Sequence, residues 1–206
     1  MSDARHHPAK PNQLRLKIRF DADQETDQLS FKLRQLSDDS EETDITPSPN
    51  PRRGTNADSL YFNPGDELHV QIVGGGEHNR RTNTGFQSFQ ILQCALISRP
   101  QVSVRGHGVR TQWSPPSPFT QSSCAISPLS LDFAPHVVSD EEDYLKVALD
   151  WKHTLNVGLT HGMWELSFYL TVKISRADSA EDQIRVLIFD PEAEVGGTGT
   201  LPTEDD

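Results

Sequence analysis

The chain is short of the residues that most often announce chemistry or a membrane. Only two cysteines occur, Cys94 and Cys124. Their spacing fits no metal or redox motif, so two free thiols are expected, one of them in a strand core, as in a reducing compartment. A disulfide between them would imply export. No Gly-x-Ser-x-Gly elbow, His-Glu-x-x-His pair or Cys-x-x-Cys is present, which counts against the common hydrolase and zinc classes. No apolar run approaches the roughly eighteen residues of a membrane helix, and the N-terminal MSDARHHPAKPNQ has no apolar signal core. No membrane partner is expected, and the cytoplasm is the expected compartment.

Charge of one sign is also missing from a long stretch. No acid falls between His78 and Leu131, whereas Arg80, Arg81, Arg99, Arg105 and Arg110 all do. Taking those five from the 19 bases leaves 14 against all 30 acids, within a net charge of -11. The negative balance argues against nucleic acid, whose binders present a basic footprint. The asymmetry favours contact between copies of the chain or between its own segments. Five arginines solvating loops is the plainer alternative.

What is present is strand. Hydrophobic content of 34% with 14 prolines and 13 glycines suits short strands and polar loops better than packed helices. Met163 to Val195 reads as a β-hairpin. Its first arm alternates Trp164, Leu166, Phe168, Leu170, Val172 and Ile174 with polar residues, and its second arm, Gln183 to Phe189, is nearly all apolar. Asp190-Pro191 closes it, because proline removes a ladder donor.

Leu14 to Phe20 alternates apolar residues with Arg15, Lys17 and Arg19, a first strand. QLSFKLRQL, around Leu29, Phe31 and Leu33, fits a strand or a short helix, and strand is the expectation. Ser37 to Asn56 is an acidic, proline-bearing insert with too little apolar area to offset ordering, expected as a mobile loop. A strand from Leu68 to Ile72 follows the Asn63 to Asp66 turn. Gly74 to Gly76 then opens an expected wide hairpin loop, since no Gly-Lys-Ser/Thr or helix follows to support a phosphate site. Phe86 to Ser98 reads as a long buried strand. Ser114 to Leu131 is neutral and carries four prolines, so it is either a plug over one end of the fold or an interaction surface.

Further strands are expected around Leu131, over Tyr144 to Trp151 and from Leu155. Eight to ten strands without a long helix predict an all-β fold, an antiparallel β-sandwich or jelly roll with long polar loops. One domain spans 14–195, with a flexible arm at 1–13 and a disordered tail at 196–206.

Three candidate chemistries remain. His153 and His161, with Asp150 and Glu165, are conceivable metal ligands, but the spacing lacks a His-x-His pair and no metal or cofactor is expected. Trp113, Trp151 and Trp164, beside Asn79, Asn83 and Gln87, suggest a lectin-like carbohydrate platform, although Trp164 follows its strand's core face. The third is an interaction surface built from Arg80, Arg81, Arg99, Arg105, Arg110, Trp113 and Phe119.

In the order of its features the chain resembles the AidA/PixA family of bacterial inclusion-body proteins. The resemblance rests on Ile18 to Asp21, Gly65-Asp66 before a strand, Ser114-Pro115-Pro116, and Phe189-Asp190-Pro191 followed by Ala193 and Val195. Leu187 and Ile188 stand where that pattern has aromatics, and the 37–56 insert and 74–85 loop are extra or displaced. The resemblance implies a bacterial, cytoplasmic, non-enzymatic β-sandwich that self-associates, and it brings no catalytic residue. The expected function is therefore homo-oligomer formation or binding of a protein partner. The alternative is glycan binding.

Overall fold

The computed structural model describes residues 11–37, 42–46, 60–101, 115–122, 124–141, 143–189 and 192–195. Among these there are twelve strands and no helix. The first six are β1 (Gln13–Asp21), β2 (Ser30–Leu36), β3 (Glu42–Asp44), β4 (Leu60–Phe62), β5 (Glu67–Asn79) and β6 (Thr84–Gln101). The rest are β7 (Ile126–Pro128), β8 (Phe133–Asp140), β9 (Tyr144–Asn156), β10 (Gly162–Arg176), β11 (Gln183–Phe189) and β12 (Glu192–Val195). The fold is all-β.

The strands form one mixed, open sheet in two runs. One run is β3-β2-β1-β5-β9-β8. In the other, β6 lies between β7 and β10, the far edge of β10 takes β11 and β12, and β12 takes β4. The β5–β6 hairpin joins the runs through His78↔Gly85 and Asn79↔Thr84. The expectation of a purely antiparallel sheet is corrected at two places: β1 pairs β5, and β12 pairs β4, in parallel. Parallel neighbours need a long return connection. The chain supplies one between Asp21 and Glu67, a stretch that includes β2, β3 and β4.

Alternation decides which side of each strand is buried. Leu14, Leu16, Ile18 and Phe20 of β1 turn inward, and so do Trp164, Leu166, Phe168, Leu170, Val172 and Ile174 of β10. Side chains from both runs join a single core. Phe20 meets Phe89 edge-on at 5.0 Å, and Phe31 stacks on Phe189 at 5.0 Å. The β10–β11 hairpin has the expected arms, in register from Phe168↔Phe189 to Ile174↔Gln183.

Two local expectations change. Gly74 to Gly76 are not loop: β5 runs through them and turns only after Asn79. Aromatic neighbours explain why glycine stands there. A Cβ on Gly74 would lie 2.6 Å from the Phe20 ring, and one on Gly75 would lie 2.6 Å from the Tyr144 hydroxyl. Within the acidic insert, Glu42–Asp44 form β3 against β2. Residues 38–41 and 47–56 of that insert, residues 1–10 of the arm, the 196–206 tail and the Asp190-Pro191 pair lie outside the described residues.

Candidate interaction surfaces

The arginines expected to form one patch do not all meet. Arg80 and Arg81 occupy the turn between β5 and β6, where the Arg81 amide donates to Asn79 Oδ1 at 3.0 Å. Arg99 lies near the other end of β6 and pairs with Glu165 of β10 at 3.0 Å. Arg105, Arg110 and Trp113 lie outside the described residues. Phe119 is corrected from a surface residue to a core one. It is 2% exposed, packs edge-on against Phe62 and bridges to Val157, because the neutral loop folds inward here. Ser117 and Leu129 of the same loop are buried as well.

The other candidates have separate partners. His153 Nε2 stands 3.7 Å from Asp132, Asp150 accepts from the Gln71 amide at 2.7 Å, and Glu165 holds Arg99. No group of three His, Cys, Asp or Glu suited to a metal occurs among the described residues. Trp164 is fully buried and donates from Nε1 to the Pro115 carbonyl. Trp151 donates to the Ser130 carbonyl at 3.0 Å and packs against the core. Both indoles are thus committed to the fold. Cys94 and Cys124 are not joined in a disulfide, the first being buried in β6 and the second exposed. Burial pushes the Cys94 thiol up to about 12, far from the thiolate a nucleophile needs.

Two surfaces stand out instead. The first is the outer side of β10 and β11 with their neighbours. Because Leu187 and Phe189 face the core, Ile184, Val186 and Ile188 face out, with Ile184 63% exposed. Register continues this apolar band across the sheet. Ile188 lies opposite half-buried Tyr169, Tyr169 opposite Ala95, which is buried, and Ala95 opposite exposed Pro128. One row further, Ile97 faces Ile126, itself 59% exposed. At about 4.8 Å per strand the band is about 15 Å wide. The main-chain edge of β11 is partly closed, since Leu29 donates to the Ile188 carbonyl and the Ile188 amide to Asp27.

The second surface is basic, in a chain that is acidic overall. The outward residues of β1 are Arg15, Lys17 and Arg19, and register sets Arg15 opposite Arg34 and Lys17 opposite Lys32 of β2. Like charges directly across a sheet are destabilising. The acids of β3 offset part of this. Glu42 pairs with both Arg15 and Arg34, and Asp44 pairs with Lys32 at 2.9 Å. Among the described residues no carboxylate pairs with Lys17 or Arg19. Burial first, and then Arg19, hold the Lys17 ammonium below its ordinary range. The Nε atoms of Arg19 and Arg34 are enclosed without a hydrogen-bond partner.

No family model, curated protein or solved structure matches the chain. The surfaces therefore carry the functional reading by themselves. Residues of the resembling motifs have structural work in this fold. Asp66 is buried and accepts from the Asn12 and Asn63 amides, Pro115 and Pro116 accept from Trp164 and Ser98, and Asp21 accepts from the Tyr144 hydroxyl.

The basic face was missed because alternating bases on an amphipathic strand read as an ordinary solvated side. The signal was the meeting of two such strands, LRLKIRF and FKLRQ, whose register the sequence does not print. The apolar band had a plainer signal. A seven-residue run such as QIRVLIF cannot hide both of its faces at a sheet edge.

Proposed function

We propose that the protein is a non-enzymatic binding protein that associates with further copies of itself through the outer face of the β10–β11 hairpin. The observation that carries this is the apolar band from Ile184 and Ile188 to Ile126. Exposed apolar side chains lined up across neighbouring strands mark an interaction site more often than a solvated wall. The closure of β11 by Asp27 and Leu29 favours face-to-face packing over strand addition. An isologous dimer would set the band against its own symmetry mate.

We further read the two runs as the layers of a sandwich. Support comes from the shared core and the aromatic contacts between β1 and β6 and between β2 and β11. The self-association implied by the AidA/PixA resemblance points the same way. Two cysteines without a disulfide fit a reducing compartment such as the cytoplasm, and no described helix is long and apolar enough to cross a membrane.

Light scattering over a range of protein concentration and salt tests the reading. The mass should rise with concentration and persist in high salt, because burial of apolar area is not screened. A monomer at every concentration and salt contradicts it.

A further inference from the structure

The basic outer face of β1 and β2 is not used by that reading and is organised for an anion. Its rows are Arg34 with Arg15, then Lys32 with Lys17, then Ser30 with Arg19. Successive outward residues of a strand are about 6.6 Å apart, so the cations recur at the period of an extended chain. Glu42 and Asp44, alternate residues of β3, reach the first row and Lys32 of the second. The carboxylates of β3 run out there, and the next acid along the Lys17 row, Asp150 of β9, takes the Gln71 amide that stands between them. Lys17 and Arg19 continue the face with no acid paired among the described residues.

We propose that this face is a binding site for an acidic peptide segment in extended conformation, and that β3 is a built-in competitor occupying one end of it. The ligand class follows from what already sits there, namely carboxylates at alternate positions of a strand. A long nucleic acid fits less well, because the rest of a chain of net charge -11 repels it. Glu42 holds Arg15 and Arg34 together, so its neutralisation frees two donors for the incoming segment. Lys17 and Arg19 supply contacts that β3 does not use.

The test is fluorescence anisotropy of a labelled peptide of alternating Glu and Ser, titrated with the full chain at low and high salt. Saturable binding that weakens with salt is expected. Glu42→Gln should tighten it about tenfold, and Lys17→Gln with Arg19→Gln should weaken it about tenfold, the scale of two partly exposed charge contacts. Circular dichroism checks that the double variant folds, and Lys17→Met, which keeps the aliphatic stem, reads a loss of about threefold from its one contact if it does not. No binding by either the natural chain or Glu42→Gln overturns the proposal. So does binding that Lys17→Met and the double variant leave unchanged. Tighter binding of labelled polyphosphate or single-stranded DNA than of the peptide overturns the assignment to a peptide. Failure of self-association leaves each of these readouts intact.

Discussion

At the scale of single residues, buried polar groups show where the fold has least freedom. Asp66 is 1% exposed, and its carboxylate takes the Asn12 amide at 3.1 Å, the Asn12 side chain at 2.9 Å and the Asn63 amide at 2.8 Å. It thereby fastens the start of β1 to the turn that opens β5. Asp66→Ala leaves those donors without their acceptor and is expected to cost about 2–3 kcal/mol. Urea unfolding checks this, and a change under about 0.5 kcal/mol, the scale of an ordinary surface substitution, contradicts it. The thiols give a second expectation. Iodoacetamide on the folded protein should label Cys124 and spare Cys94, whose thiol is buried and held protonated. Mass spectrometry of the labelled peptides reads the ratio directly, and equal labelling would contradict the core placement. Gly75→Ala should push the Tyr144 ring off β5 and break its 2.6 Å bond to Asp21. The phenol is held above its ordinary range by burial and by Asp21. Its ultraviolet titration should therefore shift down in the variant, and an unchanged titration contradicts the contact.

At the scale of elements, β3 is the least expected piece. Its composition, acidic and followed by prolines, reads as solvated loop, and only its partners give it a place on the sheet. Hydrogen bonds from the Thr46 side chain, then Lys32, then the Thr46 amide hold the Asp44 carboxyl below the usual carboxylate range. A depressed folded value means that the stabilisation is present above the ordinary carboxylate range and is lost as pH falls through the lowered one. The Thr46 amide shift should accordingly titrate with a midpoint below that of a free aspartate. An ordinary midpoint would show that the β3 clamp is not formed in solution. The β10–β11 hairpin lies at the opposite extreme. Its period of two and the core side of Trp164 were legible because strand alternation is a local property. The β5 glycines were not, since the aromatic rings that demand them come from β1, β6 and β9.

At the scale of the whole molecule, the all-β class was readable from composition and spacing, whereas the mixed topology was not. Nothing in LRLKIRF or LHVQI states that β1 and β5 pair in parallel, because register depends on a connection and on partners distant in the chain. The same limit governs the surfaces. Arginines grouped in the sequence from Arg80 to Arg99 are distributed along β6 and its preceding turn, while bases on β1 and β2, separated by an acidic turn, meet on one face. Self-association through the apolar band can be probed by one substitution that does not touch the core. Val186 is 45% exposed and lies opposite Thr171 on the outer side of β10. Val186→Lys should leave the unfolding midpoint nearly unchanged and weaken association about thirtyfold, as expected when a charge is placed between the exposed Ile184 and Ile188 of an apolar contact. Light scattering of the variant beside the natural chain, at equal concentrations, is the direct measurement. An oligomer is expected for the natural chain and a monomer for the variant, and equal masses for the two would contradict association through this face.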